Sequence, residues 1–190
     1  TQRVKRTCSQ RNERERVWVD FMEGTGNPDA NGGAKSMLVG VDEHTDKTGI
    51  IAVKSSSQPH VLLQKLLEEM FRGEVKVKRL RLDNQFDTTG VRKWADENEI
   101  LLEFVVPYRH HQNGIPERKI RTLDDTAHTL LDTCGGKINL LPHAIVHAAD
   151  MINLWPIEKD DEGRKICPLE KYQKKKPDRQ GVPQAAIGLF

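Results

Sequence analysis

"SMLVGVDEHTDKTGIIAV", residues 36–53, reads as two strands and the turn between them. Met37 to Val41 is an unbroken apolar run, the pattern of a strand buried on both faces. "DEHTDKTG" collects turn-forming polar residues, and Gly49 to Val53 returns to strand character. Upstream, Val17-Trp18-Val19-Asp20-Phe21 alternates, so Val17, Val19 and Phe21 share one face while Trp18 and Asp20 take the other. Three strands in succession predict an antiparallel meander. Between the first two lies "GTGNPDANGG", residues 24–33, too rich in Gly, Asn and Pro to hold a regular element.

The pattern downstream alternates helix and strand. Pro59 opens a helix, with Ser56 or Ser57 as nearby caps. Its apolar stripe is Leu62, Leu63, Leu66, Leu67 and Met70. Val75 to Leu82 has strand character and ends at Asp83, and Val91, Trp94 and Ala95 mark a short helix. Ile100 to Val106 is another apolar strand, stopped by Pro107. Two helices follow, over 116–133 and 141–154, the second ended by Pro156. The order is β-β-β-α-β-α-β-α-α, an α/β arrangement with a mixed five-stranded sheet flanked by helices. This core is expected over 16–155, with a basic N-terminal extension at 1–15 and a C-terminal extension at 156–190.

Hydrophobic content of 36% and charged content of 31% point to a modest core with polar ends. No apolar run approaches the roughly 20 residues of a membrane span and no signal-peptide pattern is visible, so no membrane partner is expected. Cys8, Cys134 and Cys167 are far apart and form no CxxC pair, which argues against a zinc finger. Net charge is uneven. Residues 1–16 carry six Lys/Arg against two Glu, while residues 17–155 carry 16 basic against 20 acidic residues. Basic ends suit a polyanion, although they also suit solvated tails.

Three acids have positions that suit chemistry. Asp20 lies on the polar face of the first strand, Asp83 closes the fourth, and Glu117 stands in the first turn of the long helix. At about 100° per residue, Ile120, Leu123, Ala127, Leu130 and Leu131 form that helix's buried stripe, with Glu117 at its edge. Each acid also has an ordinary explanation: a dipole-favoured first-turn acid, a strand-edge residue, an Asx turn. Together they suit a hard cation, because carboxylate oxygens bind Mg²⁺ or Mn²⁺, and two such ions can clamp the oxygens of a phosphodiester displacement.

The segments "VWVDF", "SMLVGVDEHTDKTGIIAVKSS", "RLRLDNQFDT", "VPYRHHQNGIPERKIRTLDDTAHTLL", "LPHAIVHAADMIN" and "CPLEKYQKKKP" occur in that order. Together they resemble the integrase catalytic core of Ty1/copia-type retrotransposons, relatives of retroviral integrases. The resemblance runs over roughly residues 15–180. It implies an RNase H-like fold and a D,D,E triad, matched here by Asp20, Asp83 and Glu117, holding two divalent ions, Mg²⁺ or Mn²⁺. It implies 3′-end processing of element DNA and strand transfer into target DNA, hence double-stranded DNA as partner. It further implies a homo-oligomer, origin in a larger Pol polyprotein, and work in the nucleus after a cytoplasmic particle stage. The sequence departs from the family at Gln85 and Asp87, where Gly and Glu are common. The alternatives are a catalytically silent, domesticated DNA-binding or assembly module, and an RNase H-type nuclease acting on hybrids.

Around the triad, Arg118, Lys119 and Arg121 are candidate phosphate contacts, as are Tyr108 and Arg109 in the preceding loop. His110 and His111 have no Cys or His partner at ligand spacing, so they read as solvent or DNA contacts. Asp42 reads as a turn-starting Asp, and Asp124 lies two turns below Glu117, too far for a first choice of ligand. Lys174-Lys175-Lys176 reads as a DNA-backbone contact or a solvated run, and Trp94 and Trp155 as core or interface anchors.

Overall fold

The structure, a computed structural model, describes residues 16–23, 34–54, 57–72, 77–105, 114–159 and 162–177. Five strands form the main sheet: β1 (Arg16–Met22), β2 (Ser36–Asp42), β3 (Thr48–Val53), β4 (Arg79–Leu82) and β5 (Leu101–Phe104), in the spatial order β3-β2-β1-β4-β5. The meander β1-β2-β3 is antiparallel, while β4 and β5 run parallel to β1. The helices are α1 (Pro59–Phe71), α2 (Thr89–Glu97), α3 (Gly114–Cys134), α4 (Leu141–Leu154) and α5 (Pro168–Gln173). A two-stranded ribbon, β6 (Glu158–Lys159) with β7 (Lys165–Ile166), precedes α5. The mixed five-stranded sheet and the order of its elements are those expected, and the ribbon and α5 add to them.

Alternation along β1 builds two cores. Val17 and Val19 face α1 and α2 with Leu80, Leu82, Leu63, Leu66, Phe71 and Val91. Trp18 and Met22 face the other way, with Met37, Val39 and Val41 of β2 against Leu123, Ala127 and Leu131 of α3 and Ile145 of α4. Every residue of β2 is buried, as its unbroken apolar run predicts. Burying one such large side chain contributes about 1.5–3 kcal/mol. Gly40 and Gly49 are paired across β2 and β3, and there α1 comes close: a Cβ at Gly40 would lie 2.6 Å from Met70 Sδ. Only the missing side chains allow that approach.

Several local expectations are corrected. The N-cap residue of α1 is Gln58, with no side-chain cap bond, rather than Ser57, and Ser56 lies outside the described residues. Pro59 itself supplies the start, with φ pre-set for helix. Of the fourth strand expected over 75–82, Arg79–Leu82 forms β4, Lys78 O accepts from the Leu101 N–H of β5 at 2.8 Å just before it, and residues 75 and 76 lie outside the described residues. α3 starts at Gly114 rather than at Pro116, which sits in its first turn where its missing N–H is no loss. The strand expected over 100–106 is shorter, β5 spanning Leu101–Phe104 at the sheet edge with Leu101 58% exposed, and residue 106 lies outside the described residues. Trp155, 44% exposed beyond the end of α4, is no core anchor, whereas Trp94 packs against the α1 core.

The C-terminal segment returns to the core. Lys47 Nζ donates to Met70 O at the end of α1 and lies 3.7 Å from the centre of the Tyr172 ring, a cation–π geometry. Tyr172 Oη donates to Phe71 O at 3.4 Å. These contacts dock α5 on the last turn of α1.

Candidate functional site

The parallel pairing of β1 with β4 matches the first three β1 residues with those 63 positions later: Arg16 with Arg79, Val17 with Leu80, Trp18 with Arg81. Asp20 and Asp83 each stand two residues beyond the last pair of this ladder, Asp20 still on β1 and Asp83 just past the end of β4. Both lie on the sheet face that carries Trp18 and Arg81, since side chains alternate along a strand and aligned residues of parallel strands point the same way. The two carboxylates are oriented alike. Asp20 Oδ1 accepts from the Phe21 N–H at 2.8 Å, and Asp83 Oδ1 accepts from the Asn84 N–H at 2.7 Å. Asp83 leaves the strand in extended conformation and caps the one-turn 3-10 helix Asn84–Phe86. Both acids are half-buried.

α3 packs on β1 and β2 over the same face, and Glu117, exposed, stands in its first turn. Asp20, Asp83 and Glu117 therefore share one side of the sheet. Among the described residues, no group of three or more His, Cys, Asp or Glu side chains is placed to hold a metal ion. What the fold provides is Asp20 on β1 and Asp83 at the end of the neighbouring β4, with Glu117 on the helix that packs on β1 and β2. The donor chemistry fits a hard cation, because all three offer carboxylate oxygens.

The basic residues after Glu117 differ from one another. Lys119 is nearly buried and forms an ion pair with Asp46 of the β2–β3 turn, Nζ to Oδ2 2.5 Å. Arg118 Nε donates to Gly114 O at 2.8 Å, closing the first turn of α3 from the solvent side. Arg121 is exposed. Tyr108, Arg109, His110 and His111 lie outside the described residues, as do Cys8 and the 24–33 linker.

Below the aspartate pair is a network that sequence reasoning missed. The Arg81 guanidinium stacks 4.6 Å from the centre of the Trp18 ring and lies 3.8 Å from Glu103 on β5. Glu103 also accepts from Arg16 at 2.9 Å, and Arg16 reaches Glu43 at 3.3 Å. The buried Nε atoms of Arg16 and Arg81 and the Trp18 Nε1 have no hydrogen-bond partner among the described residues. The available signal was the alternation "RLRL", residues 79–82, which sets Arg81 on the same face as Asp83.

The remaining candidates take structural positions. Asp42 is fully buried and starts the turn as expected, with Oδ2 accepting from the Thr45 N–H at 3.0 Å and from its hydroxyl at 2.5 Å. Asp124 pairs with His128 at 3.7 Å on the outer side of α3. Asp87 is bound by Arg92 through both carboxylate oxygens at 2.6 and 2.8 Å, and that hydrogen-bonded guanidinium lowers its pKa from the ordinary value. Asp150 on α4 is shifted upward, first by desolvation; nearby Glu69 adds to the rise and His147 opposes it.

No family model matches the chain, and no curated protein does. Solved structures do. A chain of the simian T-cell lymphotropic virus intasome in complex with PP2A regulatory subunit B56 gamma superposes with a TM-score of 0.67 at 14% identity, over 90% of this chain and 57% of that one. The catalytic core domain of BIV integrase superposes with a TM-score of 0.59 at 17% identity, over 85% of this chain and 95% of that one. This chain thus spans little more than half of the first and nearly all of the second. At such identity the likeness is one of architecture: the fold is the RNase H-like fold of integrase cores.

Proposed function

We propose that this chain is the catalytic core of an integrase of the Ty1/copia retrotransposon type. It acts as a metal-dependent polynucleotidyl transferase that processes the 3′ ends of element DNA and joins them to target DNA. What supports the reading is the fold shared with integrase cores, together with Asp20 on β1 and Asp83 at the end of the neighbouring β4, each two residues past the paired Trp18 and Arg81, and Glu117 on the helix that packs on β1 and β2. Asp20, Asp83 and Glu117 would hold two Mg²⁺ or Mn²⁺ ions. When bound, such ions supply positive charge at the attacking and leaving oxygens of a phosphodiester.

The chain's own residues do the rest. The Phe21 and Asn84 N–H groups hold the two aspartates in fixed orientation, so that they need little reorganisation to act together. Arg118, Arg121, Tyr108 and Arg109 contact DNA phosphates, which position a duplex without reading its sequence. Lys119 joins them only by giving up Asp46. In this reading the partner is double-stranded DNA, the working form is a homo-oligomer cut from a larger Pol polyprotein, and the place of action is the nucleus after a cytoplasmic particle stage.

The test is end processing and strand transfer on labelled DNA with Mn²⁺, comparing the wild-type chain with Asp83→Asn. Loss of product in the variant, with folding intact, is expected. Retained strand transfer would sink the assignment. A second reading is a catalytically silent DNA-binding module, favoured by the lack of a three-carboxylate group placed for a metal among the described residues. Salt-dependent DNA binding by the wild type, without product and without Mn²⁺ binding, would select it.

A further inference from the structure

A groove of about 670 Å³ runs between α1 and α2, on the opposite face of the sheet from Trp18. Its floor is apolar and half-buried, with Leu67 of α1, Trp94 of α2 and Ile100 before β5. Its rim is acidic and exposed, with Glu68 of α1, Glu97 of α2 and Glu99 just beyond α2. Among the described residues, no Lys, Arg or His lines it. Lys93 approaches Glu97 at 3.8 Å with both side chains exposed, an ion pair that holds Glu97 only weakly.

Glu99 stands where the backbone favours another residue. α2 ends in a Schellman closure: the Ile100 N–H donates to Ala95 O at 2.8 Å and the Glu99 N–H to Asp96 O at 3.2 Å. That closure holds Glu99 in the left-handed region, with φ of 56°. Glycine takes this position without steric cost, whereas a side chain there is strained. A carboxylate thus sits on the groove rim against the local backbone preference, a conflict more common at functional positions than elsewhere.

The strand order gives the occupant a direction. β1, β4 and β5 run parallel, with Arg16, Arg79 and Leu101 on one row across them. The groove lies at that end of the sheet, beside Val77 and Ile100. Neighbouring strands are about 4.8 Å apart, so β1 starts about 10 Å from Leu101. Residues 1–15, outside the described residues, lead into β1 at Arg16 and include Arg3-Val4-Lys5-Arg6, three cations around one aliphatic side chain. The ten steps from Arg6 to Arg16 can span up to about 33 Å. We propose that the Arg3–Arg6 stretch of this chain docks in the α1–α2 groove, with Val4 on the floor of Leu67 and Trp94 and its cations at Glu68, Glu97 and Glu99. The charges match, and the groove is within reach of the segment that carries them. This docking is independent of the metal reading of Asp20, Asp83 and Glu117.

The test is limited trypsin digestion of the full chain, read by mass spectrometry. Cleavage after Lys5 and Arg6 is compared with cleavage after Arg11 and Arg14 of the same segment. The variant Glu68→Gln/Glu97→Gln/Glu99→Gln is expected to speed the first pair about three- to tenfold and leave the second unchanged. Glu99→Gly is expected to speed the first pair in part, while its Tm equals or exceeds that of the wild type, because glycine suits the left-handed position. Carbodiimide joins touching amines and carboxylates as amides with loss of water. On mixed ¹⁴N and ¹⁵N protein it should link Lys5 to these glutamates within one copy only. Cleavage after Lys5 and Arg6 that the triple variant leaves unchanged would overturn the proposal. Links between light and heavy copies would also overturn it, because the groove would then hold a second copy.

Discussion

Asn153 in the last turn of α4 closes two hydrogen bonds with the backbone of Thr48 on β3: its Oδ1 accepts from the Thr48 N–H at 2.8 Å, and its Nδ2 donates to the Thr48 carbonyl at 2.7 Å. The side-chain amide thus occupies both backbone groups of Thr48 on the edge strand β3, and it ties α4 to the sheet. Asn153 is buried, and its removal takes away the partner of both Thr48 groups. Asn153→Ala is expected to cost about 2–4 kcal/mol, read by urea unfolding. A loss below about 0.5 kcal/mol would mean that water replaces the amide.

Gly49 faces the shaft of Met70, where a Cβ would collide with Cγ close to the helix backbone. That atom cannot swing aside as the tip of a long side chain can. Gly49→Ala is therefore expected to destabilise by about 1–3 kcal/mol. Shortening the obstacle, as Gly49→Ala with Met70→Ala, should give a smaller loss than the two single losses added together. Additive losses would show that α1 shifts freely.

Lys119 and Asp46 tie the start of α3 to the β2–β3 turn. Asp46 has φ of 62° in the left-handed region, so the turn already holds a conformation few residues favour. Lys119→Met should cost about 1 kcal/mol, with Asp46→Asn close to it and the double variant well short of the sum. In DNA binding, Arg121→Gln should reduce the salt slope by about one, while Lys119→Met should change it less, because its ammonium is already paired. Equal slope changes would show that DNA displaces Asp46.

Asp150 has a folded-state pKa raised by desolvation and by Glu69. For a carboxyl raised on folding, the folded protein holds the proton more strongly, so stability falls as pH rises through the window above the ordinary value of 3.8. Asp150→Asn removes that cost. Tm should rise by about 1–2 °C near pH 7 and match the wild type well below pH 3.8. A rise that persists unchanged in acid would rule out the ionisation as its cause.

Much of this architecture was legible in the chain because it rests on short-range rules. Alternation in "VWVDF" and the apolar run in "SMLVGV" assign strands and faces, and the 3.6-residue period assigns the helices. Element ends were less legible. Pro116 marks where a helix is permitted, but α3 gains two more residues at Gly114 and Ile115, with Ile115 packing on the α4-side core. The C-terminal ribbon and α5 carry too few residues for a period to show.

The sequence alone determined that Asp20 and Asp83 end up on one side of their strands, because alternation is local to each strand. That β4 lies beside β1 with Trp18 opposite Arg81 was decided only by the tertiary structure, since the register of a parallel pair is set by packing between segments some 60 residues apart. The same holds for Arg81 on Trp18, for Lys119 with Asp46 and for Asn153 at Thr48, each a contact between distant elements. Spacing along a chain says which face a side chain takes. Which partner meets it there depends on how helices and strands pack over the two cores.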